Sequence, residues 1–564
     1  MFWPILYLPK YSQFRIPYSV FRIPYSVFRI PNSAVPCSLF PVPYSLFPIP
    51  CSLFPIPYSL FPIPYSLFPI PYYQLSIINY QLSIINYQLS IINYQLSMKN
   101  FLARLDWSYF YALLGEGTLA LTFVLYIILA RELGPERYEI FAAAAALAAI
   151  LSLFINFGLS DLLTREVAAK PEEGPKSTVK FLILEVLNTL PVLVILLPIA
   201  HLLNFQGQGL IVCYLMIFAE LCRNLKMTQR GVLKGMGWFR SETISVAIER
   251  SAVVLCSIAV LLFTNNLVWV VTTLVVVRLL ENIGLLYYLS RKVTTWSAFN
   301  FNSLVASVKM AYPFALAGVL WVIYYQVDVV MLKAIAPMGE AGFYSVAVKI
   351  MEIFSALPRV IFYVAFTRFA RAYATDPDLL PPQIYKATRL LVVLVLPVIL
   401  IAGFFQTTLV QILYGDNYSY SVQSLSILLP NITVAIFGQL VQQTLIAIGQ
   451  EKRLPPILLG AVVANVATNA ILIPVLGAIG AAIATILSEL VRSLMLIKLL
   501  SALDYKSVGN TIRVIAGMSL LITAIPSLML YGLTPIIGIG LIGLSIAGLM
   551  ILLRRDRFLD SKKQ

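Results

Sequence analysis

Charged and metal-binding side chains are scarce in this 564-residue chain. Only 12% of its residues are Asp, Glu, Lys or Arg, against roughly 25% in soluble domains. There is one histidine, His201, and the five cysteines show no repeated spacing, so neither a histidine-based metal centre nor a disulfide framework is expected. A Walker A sequence is also missing, which argues against ATP hydrolysis by a P-loop. We therefore expect no metal, no cofactor and no enzymatic activity.

Apolar residues are correspondingly abundant. Hydrophobic residues make up 60% of the chain and its mean hydropathy is +0.86, which excludes a soluble enzyme and a wholly disordered protein. The surplus apolar surface requires lipid. The net charge of +15 would suggest nucleic acid on a water-soluble face. In a membrane protein the distribution of the positive residues first indicates topology. We therefore expect no nucleic-acid partner.

The first 97 residues form a separate, low-complexity segment. They repeat seven-residue units such as FRIPYSV, SLFPIPY and QLSIINY, and they contain 16 of the 34 prolines but no Asp or Glu. Proline at this density prevents a coiled coil despite the period of seven. Seven codons span 21 nucleotides, so a tandem DNA repeat would keep this frame open. We expect translation to start at Met98, with a disordered cytoplasmic arm over residues 1–97 as the alternative.

From Met98 onward the chain reads as an all-α integral membrane protein. A membrane-spanning helix needs about 20 mostly apolar residues, and fourteen such stretches are found. We expect a first lobe of six helices over residues 98–300, a second over 301–505, and an accessory helix pair with a basic tail over 506–564. The stretches lie near 107–130, 138–160, 178–203, 207–223, 243–264, 267–290, 309–335, 341–366, 387–405, 422–449, 455–475, 478–501, 511–531 and 534–553.

Lysine and arginine alternate strongly between the connections. The connections on the side of Met98 carry 28 of them, and those on the opposite side carry three. The positive-inside rule therefore predicts that both termini are cytoplasmic. We expect the protein to lie in a cell (inner or plasma) membrane. The opposite connections, such as Asn265-Asn266, are too short for a catalytic domain, which argues against a membrane-embedded polymerase or glycosyltransferase. A helix bundle of this kind is most often a transporter.

The two halves of the chain repeat one another. The segment LARELGPERYEIFAAAAAL (129–147) and the segment MLKAIAPMGEAGFYSVAVKI (331–350) both contain a helix end, a small-residue and proline turn, an acidic residue and a helix of small residues. They lie six predicted helices apart. Arg278-x-x-Glu281 in the sixth predicted helix is likewise matched by Glu489-x-x-Arg492 in the twelfth. Such parallel repeats are typical of transporters.

This pattern resembles the polysaccharide-export (Wzx-like) flippases of the multidrug/oligosaccharidyl-lipid/polysaccharide (MOP) superfamily. The resemblance covers residues 98–505 and rests on ILARELGPERYEIFA (128–142), NFGLSDLLTREVA (156–168), LKGMGWFRSETISVAIER (233–250), QVDVVMLKAIAPMGEAGFYSVAVKIME (326–352) and IGQEKRLPPILLGAVVANVATNAILIPVLGAIGAAIAT (448–485). It implies two lobes around a central cavity and alternating access, often linked to an ion gradient. The implied cargo is a polyprenyl-diphosphate-linked oligosaccharide moved to the outer leaflet, and polysaccharide polymerase or export machinery are the implied partners.

Ionisable side chains inside the predicted helices are the candidate functional residues, because unpaired charge is costly in hydrocarbon. Arg278 is the first candidate for a diphosphate contact, since arginine offers a bidentate fork to phosphate oxygens. The other candidates for substrate binding are Arg492, Arg250, Lys349 and Arg359. The candidates for ion coupling or intramembrane pairing are Glu116, Glu249, Glu281, Asp328, Glu352 and Glu489.

Three alternatives stay open from the sequence. The intramembrane charges could be mutual salt bridges that hold helices together; Asp328 and Lys349, at one predicted depth, are expected to form such a pair. The basic segment Lys226–Arg240 is read as a cytoplasmic loop that marks topology or gathers anionic lipid headgroups. A lipid II flippase and a cation-coupled multidrug exporter of the same superfamily are the alternative functions.

Overall fold

The computed structural model describes residues 119–293, 301–503, 505–532 and 534–560. Within these ranges the chain consists of helices and connecting turns without a β-strand, which confirms the predicted all-α fold. The repeat over residues 1–97 and the candidate Glu116 lie outside the described residues.

The helices follow one another with short connections. They are α1 (Leu119–Asn156), α2 (Leu159–Ala169), α3 (Thr178–Leu202), α4 (Gln208–Gly235), α5 (Phe239–Thr264), α6 (Leu267–Ser290), α7 (Phe301–Ile335), α8 (Glu340–Phe354), α9 (Leu357–Thr375), α10 (Leu380–Leu394), α11 (Leu396–Phe404), α12 (Gln406–Tyr414), α13 (Ser421–Ala447), α14 (Leu454–Ser501), α15 (Lys506–Leu530) and α16 (Pro535–Asp560).

Two of these helices contain a sharp break at a glycine. Gly134 in α1 has φ 74° and is followed by Pro135, and Gly477 in α14 has φ 54°. Glycine adopts positive φ without a Cβ clash, and proline removes a helix hydrogen bond. The two breaks lie where the sequence predicts the connections between helices 1 and 2 and between helices 11 and 12. Each break therefore divides one long helix into two segments.

Nine helices within the described ranges are long and apolar enough to cross a membrane. The broken helices α1 and α14 are among them, whereas α4, which carries Glu220, Arg223 and Lys226, is not. The apolar part of α16, Ile536–Met550, is shorter than the helices counted as spans. The total of fourteen spans therefore stays a prediction.

The fourth helix is longer than the sequence predicts. The apolar stretch ends near residue 223, but α4 continues to Gly235, so the prediction of a loop was wrong for the first ten residues of Lys226–Arg240. The amphipathic helix α2 packs against this extension, and Val232 and Leu233 are buried there. A Cβ on Gly235 would lie 2.7 Å from Val167. Tertiary packing therefore adds three turns to a helix whose polar sequence suggests a loop.

The first half (residues 119–293) and the second half (residues 301–503) contact each other on the side predicted to be extracytoplasmic. A Cβ built on Gly342 of α8 would lie 2.4 Å from the Pro135 carbonyl oxygen of α1. The Tyr418 hydroxyl donates to the Ala130 carbonyl oxygen at 2.9 Å. The Arg131 guanidinium donates to the Ile412 carbonyl oxygen at 3.1 Å. Backbone groups exposed at the break in α1 therefore hold the two halves together at this end.

We expect Gly342→Ala to destabilise the protein. The added methyl group would press on the Pro135 carbonyl oxygen, and overpacking of this kind typically lowers the free energy of unfolding by about 1–3 kcal/mol. Thermal unfolding in detergent measures the change. Gly284→Ala in α6 is the matched control, because no atom lies within 4 Å of a Cβ built there. Equal unfolding midpoints for the two variants would contradict the close packing of α8 on α1.

Candidate functional site

A buried lysine links three helices of the first half. Lys226 on α4 is 2% exposed, and its ammonium group lies 2.8 Å from a carboxylate oxygen of Glu249 on α5. It also forms an ion pair with Glu281 on α6 and donates to the Ser245 carbonyl oxygen at 3.1 Å. One cation therefore compensates two carboxylates from neighbouring helices, as burial of charge requires.

Arg278 lies beside this lysine, within an acidic environment. Its guanidinium nitrogens are 3.6 Å from Glu220 and 3.7 Å from Glu249, and it donates to the Ala219 carbonyl oxygen at 3.0 Å. Arg223 contacts Glu220 from the same helix at 2.5 Å. We call the group Glu220, Arg223, Lys226, Glu249, Arg278 and Glu281 the α4–α6 network. Its three cations and three carboxylates balance, which supports the mutual salt-bridge interpretation for the resting protein.

Asp328 on α7 forms a second centre, of a different kind. It is 4% exposed, and its carboxylate accepts hydrogen bonds from the Tyr344 hydroxyl (2.6 Å), the Thr485 hydroxyl (2.8 Å) and the Asn469 amide (2.6 Å). The Asn469 amide also donates to the side-chain oxygen of Asn465 at 3.0 Å. We call these five residues the Asp328 cluster. Its carboxyl group, on α7, is held by neutral hydroxyl and amide groups from α8 and both segments of α14.

The predicted ion pair between Asp328 and Lys349 was wrong. Tyr344 is the α8 residue that faces Asp328, and Lys349, five residues further, points about 140° away from it around the helix. Lys349 instead pairs with Glu352 at 2.9 Å and lies 4.7 Å from the centre of the Tyr126 ring of α1. The sequence indicates the depth of the two residues but not the direction of each side chain around its helix. The rotation of α8 directs Lys349 to the boundary between the halves.

Glu489 and Arg492 form a buried pair within α14. A guanidinium nitrogen lies 2.5 Å from a Glu489 oxygen, and both residues are at most 4% exposed. The Tyr324 hydroxyl donates to Glu489 at 2.6 Å, and Arg492 donates to the Gln442 side-chain oxygen at 2.8 Å. The pair is thus connected to α7 and α13. The charge of Arg492 is paired, and each of its three guanidinium nitrogens donates a hydrogen bond.

Arg250 and Arg359 are the remaining candidates. Arg250 is half-buried on α5, directly after Glu249, and Arg359 is exposed near the start of α9. Among the described residues, no group of three or more His, Cys, Asp and Glu side chains is arranged to hold a metal ion.

Several residues of these centres do not follow from the charges inside the predicted helices. The sequence places Lys226 and Lys333 in connections, where they indicate topology. Yet Lys333 forms a 2.8 Å ion pair with Glu139, which is 2% exposed, across the two halves. The Glu139 carboxylate also accepts from the Gly339 amide at the start of α8. Asn469 and Tyr344 are uncharged; the four-residue spacing of Asn465 and Asn469 in an apolar helix was the available signal.

Comparison with known proteins gives a family-model match over part of the chain and a fold. Residues 108–373 match the family model described as polysaccharide biosynthesis protein. Comparison with curated protein sequences gives no significant match.

Among solved structures, an inward-facing multidrug resistance MATE family transporter of the MOP superfamily is similar with a TM-score of 0.58 and 14% identity, over 69% of this chain and 95% of that one. The lipid II flippase MurJ, in an inward closed conformation, is similar with a TM-score of 0.58 and 12% identity, over 80% of this chain and 100% of that one. The chain therefore has the fold of the MOP superfamily of membrane transporters. The resemblance drawn from the sequence motifs is confirmed.

We expect Lys226→Met to be strongly destabilising, because it leaves the carboxylates of Glu249 and Glu281 without their shared cation. Removing one partner of a buried pair typically costs about 3–5 kcal/mol, and thermal unfolding in detergent measures it. Adding Glu281→Gln should recover part of the loss. Lys170→Met is the matched control, because its pair with Glu173 has side chains 73% and 68% exposed and should contribute less than about 1 kcal/mol. Equal stability of the two lysine variants would refute the role of Lys226.

Proposed function

Because residues 108–373 match the family of polysaccharide biosynthesis proteins and the fold is that of the MOP superfamily, we propose that this chain is a flippase. Its cargo is a polyprenyl-diphosphate-linked oligosaccharide, which it moves from the cytoplasmic to the outer leaflet for polysaccharide biosynthesis. The family match is the observation that carries this proposal. The solved lipid II flippase of the same fold supports it, since that protein is named for a lipid-linked cargo.

The physical requirement for such cargo is a polar path through the membrane. A diphosphate and a hydrated sugar cannot cross hydrocarbon unaided, because their charges and hydroxyl groups would lose water without gaining partners. Cationic side chains inside the membrane can replace that water. In this chain Arg278, Arg492, Arg250, Lys349 and Arg359 are the proposed contacts of the diphosphate, and Arg278 is the first among them.

Arg278 supports this role through the weakness of its own ion pairs. Its nitrogens lie 3.6 Å and 3.7 Å from Glu220 and Glu249, beyond the distance of a good charge-assisted hydrogen bond, which is about 2.7–2.9 Å. Lys226, in contrast, lies 2.8 Å from Glu249. A diphosphate oxygen can therefore compete for Arg278 without breaking the interactions that hold α4 to α5.

Alternating access requires the two halves to separate at the outer side. The Glu139–Lys333 pair, the close packing of Gly342 on Pro135 and the hydrogen bond from Tyr418 to Ala130 join the halves there. In the proposed cycle these contacts close the outer side while substrate enters from the cytoplasmic side, and they break when the substrate leaves. Each contact is small, so the closed state can be stable without being permanent.

Asp328 is the proposed site of coupling to an ion gradient. Three neutral donors hold its carboxylate, so binding of a proton or of a small cation would add the positive charge that this buried group lacks. Glu116, Glu249, Glu281, Glu352 and Glu489 stay candidates for coupling or pairing. Of these, Glu249, Glu281, Glu352 and Glu489 already have basic partners.

The proposal includes a setting in the cell. The protein lies in the cell (inner or plasma) membrane with both termini in the cytoplasm, and it works beside polysaccharide polymerase or export machinery. It acts as a transporter, without a cofactor and without nucleic acid. The alternatives are transport of lipid II or cation-coupled export of drugs, which the solved relatives of this fold are named for. Vesicles given each class of cargo separate the three.

We expect Arg278→Ala to slow translocation of lipid-linked oligosaccharide about tenfold or more, because a charge-assisted hydrogen bond contributes about 1.5–3 kcal/mol. The measurement is the rate at which a labelled lipid-linked oligosaccharide reaches the opposite leaflet of reconstituted vesicles. Arg291→Ala, at the exposed end of the same helix, should leave the rate unchanged. If vesicles with the wild-type protein translocate the label no faster than empty vesicles, the proposed function is overturned. A normal rate in Arg278→Ala would overturn only the site.

We expect Asp328→Asn to remove the acceleration that an imposed ion gradient gives to the wild-type protein. Asparagine keeps the size of the side chain but carries no charge for a proton or cation to compensate. Proton and sodium gradients are imposed separately across the vesicles, and the rates with and without each gradient are compared. Asp378→Asn, in an exposed turn, should respond as the wild type does. A gradient response retained in Asp328→Asn would refute coupling at this carboxylate.

A further inference from the structure

One face of α7 looks toward the first half of the chain. Trp321, Tyr325, Val329 and Lys333 follow one another at four-residue spacing, so they share this face. Lys333 at its end forms the 2.8 Å ion pair with Glu139 of α1. The outer end of this face is therefore directed at the other half of the protein.

Burial changes abruptly along this face. Val329 is 7% exposed and belongs to the apolar core, which contains residues of both halves. One turn toward the predicted cytoplasmic side, Tyr325 is 46% exposed, and Trp321 is half-buried. Accessible surface on this face therefore begins between Val329 and Tyr325, at the aromatic residues.

The rings at this point are held in fixed positions. The centres of Trp321 and Tyr325 are 4.7 Å apart, and Tyr324 meets Tyr325 edge-on at 5.7 Å. Tyr324 is itself anchored, because its hydroxyl donates to Glu489 at 2.6 Å. A ring that is backed by a neighbour fixed in the core, yet accessible on the other side, is preorganised for a ligand.

Polar groups surround the accessible ring. Glu489 on α14, which pairs with Arg492, accepts a hydrogen bond from the hydroxyl of Tyr324, and the ring of Tyr324 lies 5.7 Å from that of Tyr325. An aromatic face is electron-rich and attracts the weakly positive C–H groups of a sugar ring. Carboxylate and guanidinium groups beside it can bind the hydroxyl groups at the edge of that ring. A few polar groups around an aromatic surface are the usual composition of a small-molecule site.

We propose that Trp321 and Tyr325 form a stacking platform for a sugar ring of the transported saccharide. This inference rests on the proposed function and adds the place where the sugar, as distinct from the diphosphate, is bound. The platform and Arg492 lie on the second half, whereas Arg278 lies on the first. The two parts of one headgroup would thus contact different halves, which gives the substrate a differential interaction with the open and closed states.

Binding to the purified full-length protein in detergent tests the platform. Two probes are used: lipid-linked oligosaccharide extracted from source cells that lack this chain, and synthetic undecaprenyl diphosphate without sugar. Tyr325→Ala should weaken binding of the first probe about tenfold, the effect of losing one aromatic stacking contact, and leave binding of the second unchanged. Tyr325→Phe should bind both probes as the wild type does, because it keeps the ring.

Controls separate this inference from the function on which it rests. Tyr287→Ala removes a tyrosine that is 60% exposed on α6 and should change neither affinity, and thermal unfolding midpoints verify that every variant is folded. An equal loss of affinity for both probes in Tyr325→Ala would overturn the platform. So would a Tyr325→Phe variant that binds the first probe as weakly as Tyr325→Ala does. Failure of the wild type to translocate the oligosaccharide lipid in vesicles would overturn the proposed function instead.

Discussion

The high cost of an unpaired charge in hydrocarbon governs the interior of this protein. Lys226 lies between Glu249 and Glu281 because a buried ammonium group needs compensation, and two carboxylates from different helices supply it. Glu489 and Arg492 solve the same problem within one helix. The arrangement of α4, α5 and α6 therefore follows from charge pairing as well as from the packing of apolar side chains.

Small residues determine how closely the halves approach. Gly342 lets α8 rest on the carbonyl group of Pro135, and the break at Gly134 exposes the backbone that the second half contacts. At the same end, Glu139 joins Lys333 and the start of α8. Buried apolar residues also pack across the boundary at that end, among them Tyr138 and Tyr418, whose ring centres are 6.3 Å apart.

The polar centres differ in what they can do. The α4–α6 network is balanced in charge, so its first role is to hold helices together, and a phosphate ligand would have to compete with its carboxylates. The Asp328 cluster has only neutral partners around its carboxyl group. It is therefore the centre whose charge depends most on an added ion. Tyr325 belongs to neither group and is accessible on the same helix as Asp328.

The sequence by itself determined the all-α membrane fold, the two breaks at glycine and proline, and the presence of intramembrane charges, because these depend on local hydropathy and backbone chemistry. It also indicated the pair Glu489–Arg492, whose spacing of three is a property of one helix. Only the tertiary structure decided that α4 continues through Lys226, that Tyr344 and not Lys349 faces Asp328, and that Glu139 meets Lys333. Those outcomes depend on the rotation and contacts of helices far apart in the chain, which no local pattern encodes.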